Sequence, residues 1–397
     1  MGLTDEILEK HEEYRNRTIN LIPSENLMSH AARRAMSSDM GHRYFFKESY
    51  KTSSGVSYEY HGTKYIEKMY DLCIELAKKL FKADYAEVFP ISGHMSNLSI
   101  LTAFAQPADS IMVTDPENGG YPGLAREKLP RHLGLSVEYI PTAPEGEIDI
   151  DGVRKRIEQN RIKIMFLTYS WTLFPVPLGE ISEICRGSDC VLVYDASHTL
   201  GLIAGGKFQD PLMEGADYMV GSTHKTFPGP QGGIILGNKE NKKISEAGHF
   251  VTADNIHFHR IAALARTMEE MLEYGEDYAR QTVRNAKTLA EALYNRGFPV
   301  LFADKGFTES HQIKMDINRF DGFKSYGEFT SISENAGLIM DNSGRLGVSE
   351  ITRLGMREKE MEEIANLMQD IYVKKDIAEI RKKVFTMREN FKTVNYC

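Results

Sequence analysis

The sequence predicts an α/β fold: a mainly parallel, seven-stranded-type sheet sandwiched by helices, followed by a smaller C-terminal α+β domain. Three observations carry this. Between residues 85 and 237 short apolar runs recur at intervals of roughly twenty to thirty residues, a spacing that leaves room for crossover helices. Each run is apolar on both faces, as strands covered on two sides must be. Past residue 255 the texture changes to long amphipathic helices.

Taken in order, "MGLTDEILEKHEEYRNRT" carries several acids and lacks the apolar core of a signal peptide, so residues 1–20 are expected to form an N-terminal arm. A large domain is expected over 21–274 and a small one over 275–397. Ile66, Met69, Cys73, Ile74, Leu76 and Leu80 fall at helical spacing, which predicts a helix over 64–81 with Cys73 in its core face. The strand candidates are "YAEVFP", "SIMVTD", "IKIMFLTYS", "CVLVYD", "YMVGS" and "GGIILG". "SGHMSNLSILTAF" reads as a helix opening after the first of these. Ile261, Leu264, Met268 and Met271 mark a long helix past residue 255. The small domain should hold the strand "SHQIKMDI" and the helices "EKEMEEIANLMQDIYV" and "DIAEIRKKVFTMRENF".

Bulk properties remove several function classes. A net charge of −8 with interspersed signs offers no basic face for nucleic acid or an anionic membrane. No apolar run is long enough to span a bilayer. The four cysteines form no CxxC pair and have no histidines at zinc spacing, so neither a disulfide framework nor a metal site is indicated. A reducing cytoplasm is the expected compartment.

In an open parallel sheet, ligands bind outside the carboxyl ends of the strands. Four such ends carry chemistry here. "YAEVFP" runs into Ser92, Gly93 and His94; "IKIMFLTYS" ends at Ser170; "CVLVYD" ends at Asp195, with His198 beyond; "YMVGS" ends at Ser222 and leads to His224 and Lys225. Ser92-Gly93 before a helix is either an ordinary N-cap or an anion site, since free amides and the helix dipole favour negative charge there. Asp195 alone could be a cap or half of an ion pair. Together, however, a lysine, a carboxylate and an anion site are what pyridoxal 5'-phosphate requires of its protein: a Schiff-base amine, a partner for the pyridine nitrogen and a phosphate cradle.

These segments resemble the serine hydroxymethyltransferases, fold type I pyridoxal-phosphate enzymes. "LIPSEN" is similar to that family's N-terminal substrate loop, "FKADYAEVFPISGHMSN" to its phosphate turn, and "YDASHTLGLIAGG" with "ADYMVGSTHKTFPGPQGGIIL" to its aspartate and lysine segments. "SGRLGVSEITRLGM" is similar to the segment bearing its carboxylate-binding arginine. The resemblance implies that Lys225 carries the cofactor, Asp195 pairs with the pyridine nitrogen, His198 lies near the phenolic oxygen, and Ser170 lies beside the ring. It further implies that Ser92 and Gly93 hold the phosphate and that Arg345, helped by Ser24, grips a substrate carboxylate. Tyr44 and Tyr60 match tyrosines lining a site completed by a neighbouring subunit, so a homodimer or a dimer of dimers is expected.

The pattern breaks in several places. Asn118 stands where the family's ring-stacking histidine is expected, with Tyr121 three residues on as a candidate replacement. Phe46 replaces a catalytic glutamate, with Glu48 the nearest carboxylate. The loop before Arg345 is short, His94 stands where a small phosphate ligand is expected, and "HFVTADNIHFHRI" replaces a glycine-rich turn. His257, His259 and Tyr121 are expected to line a remodelled pocket. The retained cofactor residues and altered folate side together predict a divergent member that cleaves or transfers at the α–β carbon bond of a β-hydroxy amino acid without folate. His198, Glu48 or a water would serve as base. True serine hydroxymethyltransferase activity with a folate or pterin acceptor remains an alternative, as do β-elimination, decarboxylation and transamination in specialised metabolism.

Overall fold

The computed structural model describes residues 2–46, 50–143, 147–239, 241–248, 251–320 and 322–397. The chain forms two compact units, residues 28–275 and residues 1–27 with 276–397.

The larger unit is built on seven strands: β1 (Tyr85–Glu87), β2 (Ser110–Val113), β3 (Ser136–Tyr139), β4 (Ile162–Thr168), β5 (Val191–Asp195), β6 (Tyr218–Ser222) and β7 (Gly233–Gly237). Their order across the sheet is β1-β7-β6-β5-β4-β2-β3. The pairs β2–β3, β2–β4, β4–β5 and β5–β6 are parallel, and β7 runs antiparallel to both of its neighbours. The apolar runs therefore become strands as expected, and β4, β5 and β6 are almost wholly buried because helices cover both faces. The apolar-run pattern misses β3, because "SVEY" is short, lies at the sheet edge and keeps one exposed and two half-buried positions.

The helix Lys64–Phe81 buries Ile66, Tyr70, Cys73, Ala77, Leu80 and Phe81, a stripe at three- and four-residue spacing, and Cys73 is wholly buried. Burial pushes the Cys73 thiol up to about 12, which removes it from thiolate chemistry. The helix Phe258–Asn295 buries Ile261, Leu264, Met268 and Met271 in the larger unit and Ala286, Leu289 and Leu293 in the smaller.

In the smaller unit Gln312–Lys314 pairs antiparallel with Arg345–Gly347. The expected helices form at Glu358–Tyr372 and Ile377–Glu389. The N-terminal segment belongs to this unit: Ile19–Asn20 pair parallel with Leu338–Ile339, and Ile19 and Leu21 are core residues there. Leu3, Ile7 and Leu8 on the helix Leu3–Asn16 stay exposed. No helix among the described residues is long and apolar enough to cross a membrane.

Candidate active site

The parallel register sets Thr168 beside Asp195 and Asp195 beside Val220, so β4, β5 and β6 deliver their last side chains to one edge of the sheet. Asp195 is the hub of that edge. Its Oδ2 accepts from Asn97 Nδ2 at 2.9 Å and from Thr168 Oγ1 at 3.2 Å, and its Oδ1 accepts from the Ser197 amide at 2.9 Å. A carboxylate that is only 7% exposed needs such donors, because desolvation without them costs several kcal/mol. Asn97 and Thr168 are partners of Asp195 that the strand-end pattern does not single out. The available signal was positional: Asn97 lies one helical turn into the segment that Ser92 opens.

The helix Gly93–Phe104 begins at this edge, and Ser92 Oγ caps it by accepting from the Met95 amide at 3.2 Å. Gly93 lies against β6, where a side chain would collide with Ser222 Oγ and come within 3.0 Å of Ser197 Oγ. Ser222 and Ser197 are themselves joined, amide to Oγ at 3.0 Å and Oγ to Oγ at 3.2 Å. The result is a concave cluster of hydroxyls and amides at a helix N-terminus.

The lysine loop follows β6 and closes on itself. Thr223 Oγ1 donates to the Pro230 carbonyl at 2.6 Å, the Gly229 amide to the Thr223 carbonyl at 2.9 Å, and the Thr223 amide to the Gly232 carbonyl at 3.1 Å. Side chains on Gly229 or Gly233 would collide with the carbonyls of Thr223 and Ser92, which explains the glycines. Thr226 Oγ1 ties the loop to the Asp195 segment by donating to the His198 carbonyl at 2.7 Å and accepting from the Gly201 amide at 3.0 Å. Between these anchors His224 and Lys225 stand half-buried. Burial and the adjacent Lys225 charge push His224 down to about 4, so its imidazole is neutral across the physiological range.

This shift has a stability consequence. An unfolded histidine takes up a proton near 6.5 while the folded one resists until about 4, so stability present above pH 6.5 is lost as pH falls through that interval. The size is about 1–3 kcal/mol after allowing for partial exposure. His224→Asn should flatten the decline in melting temperature of the cofactor-free chain between pH 6.5 and 4. An unchanged slope would assign the decline to other groups.

Asn118, expected at the ring-stacking position, donates its side-chain amide to Thr142 Oγ1 at 3.0 Å. Tyr121, three residues on, reaches the end of β4 and the His94 ring. Its amide donates to the Thr168 carbonyl at 3.3 Å, its ring packs on Gly123, and its hydroxyl lies 3.3 Å from His94 Nδ1. The two rings meet edge to face with centroids 6.0 Å apart. Burial raises the Tyr121 hydroxyl and lowers the His94 imidazole, and the Asp195 charge acts on both, which places the pair within its field. Ser170 Oγ donates to the Gly120 carbonyl at 3.3 Å, joining the β4 exit to the Tyr121 loop.

His257 and His259 stand beside each other, centroids 6.1 Å apart, with His259 packed on Gly41. Tyr44 and Tyr60 are 43% and 42% exposed, with ring centroids 5.5 Å apart. Glu48 lies outside the described residues. In the smaller unit, Gly347 packs directly on Pro23, so Ser24 and Arg345 belong to neighbouring segments. Arg345 there already holds a carboxylate: its Nε and Nη2 donate to Asp341 Oδ2 at 3.2 and 2.8 Å. Among the described residues no cluster of His, Cys, Asp and Glu could hold a metal ion.

The residues of the larger unit fit pyridoxal phosphate. Asn97 Oδ1 and His224 Nδ1 are buried without a hydrogen-bond partner, an arrangement that costs free energy unless a ligand supplies one. Asp195 would face the pyridine nitrogen, Ser92 and Gly93 the phosphate, and Lys225 the aldehyde carbon.

Comparison with known proteins agrees. The family model for serine hydroxymethyltransferase matches residues 3–368. The serine hydroxymethyltransferase of Methanopyrus kandleri is 43% identical over 98% of this chain and 93% of its own length, and that of Methanobrevibacter smithii is 40% identical over 99% and 94%. The solved structure of L-threonine transaldolase from Pseudomonas fluorescens, in its internal aldimine state, superposes with a TM-score of 0.91 at 28% identity over 99% of this chain and 92% of that one. The match along nearly the whole chain, joined to the lysine, aspartate and helix-cap geometry, leads to one conclusion: the chain belongs to the serine hydroxymethyltransferase family of pyridoxal-phosphate-dependent, fold type I enzymes.

Proposed function

We propose that this enzyme makes or breaks the α–β carbon bond of a β-hydroxy-α-amino acid without a folate, releasing an aldehyde or transferring the amino-acid fragment to another aldehyde. The carrying observation is Phe46. Where the resemblance places a catalytic glutamate, a phenyl ring packs 5.4 Å from the Tyr60 ring and lines a cavity of about 290 Å³ with Phe89 and Ile256. A phenyl ring moves no proton, so the acid–base work of the folate reaction has no group at that position.

When bound, the cofactor supplies the electron sink for the bond broken at the α carbon. The chain's residues do the rest. Asp195, clamped by three donors, would hold the pyridine nitrogen, and Lys225 would hold the cofactor through its amine. His94, whose imidazole is lowered by burial and whose Nδ1 lies 3.3 Å from the Tyr121 hydroxyl, is one candidate to take the β-hydroxyl proton, and His198 is another. Arg345 and Ser24 orient the substrate carboxylate, which selects the bond to be broken. The exposed Tyr44 and Tyr60 rings suit a site shared with a second copy, in a homodimer or a dimer of dimers working in the cytoplasm. The overall likeness to a threonine transaldolase supports this reading.

A second reading, serine-to-glycine conversion with a folate or pterin acceptor, is favoured by the 43% identity to the Methanopyrus kandleri enzyme. The deciding experiment is aldehyde release from L-allo-threonine by the cofactor-loaded protein without folate, with Lys225→Ala as the blank. Lys225-dependent release is expected. Turnover confined to serine plus tetrahydrofolate would overturn the proposal in favour of the second reading, and release of ammonia, carbon dioxide or pyruvate would replace it with elimination, decarboxylation or transamination.

A further inference from the structure

The short loop before Arg345 contains Asp341, and the structure shows what it does. Asp341 Oδ2 accepts from both Nε and Nη2 of Arg345, at 3.2 and 2.8 Å, so one edge of the guanidinium fork is filled by a carboxylate four residues upstream. Ser343 locks the pair. Its amide and hydroxyl donate to Asp341 Oδ1 at 2.8 and 2.6 Å, and its Oγ accepts from Arg345 Nε at 2.7 Å. Lys314 Nζ holds the Ser343 carbonyl. Both partners are largely covered, with Arg345 and Asp341 side chains 19% and 22% exposed.

We propose that Asp341 is a resident stand-in for the substrate carboxylate and sets the affinity of the Arg345 fork for amino acids. The inference rests on Arg345 being the carboxylate-binding residue. Two carboxylates sharing one guanidinium edge repel each other, and the incoming one must displace an intramolecular competitor that needs no association entropy. Asp341 therefore raises the threshold for every ligand that brings a carboxylate and leaves amines without one unaffected. It is a specificity-determining residue that touches the fork and takes no part in proton transfer.

The test is a spectroscopic titration of the cofactor-loaded enzyme with glycine and with ethanolamine, an amine lacking the carboxylate. It is run on the wild type, Asp341→Asn, Asp341→Ser and Arg345→Gln, each first checked for an unchanged melting profile. Releasing a partly buried pair of this kind should tighten glycine binding about fivefold in both Asp341 variants. Ethanolamine binding should not move in the Asp341 variants, and Arg345→Gln should lose glycine binding. Unchanged or weaker glycine binding in the Asp341 variants, with binding lost in Arg345→Gln, overturns the stand-in role and leaves the carboxylate role of Arg345 intact. Wild-type glycine affinity in Arg345→Gln overturns both.

Discussion

Lys225→Ala is expected to abolish covalent attachment of the cofactor and to lower turnover by at least about 10³-fold, because this amine is the proposed covalent anchor. The fold should survive. Lys225 is half-buried at the tip of a loop held by Thr223, Thr226 and Gly229, and none of those hydrogen bonds uses its side chain. The measurement is the absorbance of the gel-filtered, cofactor-incubated protein: wild type should keep a protein-bound band resistant to dialysis and fixed by borohydride, and the variant should lose it. A variant that retained a borohydride-fixable band would assign the anchor to another lysine.

Asp195→Ala should have the second largest effect, with two separable parts. Removing the charge proposed to face the pyridine nitrogen should cost on the order of 10²–10³ in turnover, the range seen when one preorganised electrostatic group is deleted. It also strands three buried donors, Asn97 Nδ2, Thr168 Oγ1 and the Ser197 amide, so stability should fall by about 1–3 kcal/mol. Asp195→Asn keeps an acceptor for some of these donors. It should recover much of the stability while leaving turnover low, and calorimetry beside kinetics separates the two. Equal turnover in Asp195→Asn and wild type would remove Asp195 from the chemistry.

The strand-end logic was legible because β4, β5 and β6 are buried on both faces, which writes them as continuous apolar runs ending abruptly in polar residues. The glycines around Lys225 were legible for a related reason: close backbone approaches to Thr223 and Ser92 exclude any side chain. The edge strand Ser136–Tyr139 was not, since its partial exposure leaves no apolar run to see. Nor were the partners of Asn118 and Tyr121. Both sit in one loop, and only the folded backbone brings the Tyr121 amide to the Thr168 carbonyl and the Asn118 side chain to Thr142.

What the sequence determined by itself was the sheet, its helices, the lysine and aspartate at strand ends, and the helix cap. These depend on local periodicity and on residues whose chemistry is carried in their own side chains. What only the tertiary structure decided were relations between distant segments. Asn97 meets Asp195 across 98 positions of chain, His94 meets Tyr121 across 27, and the N-terminal Ile19–Asn20 pairs with Leu338–Ile339. Even the Asp341–Arg345 pair, only four residues apart, needed the folded turn. Proximity along the chain does not say which way a side chain points, and hydrogen bonds form only where the packed backbone brings donor and acceptor within about 3 Å.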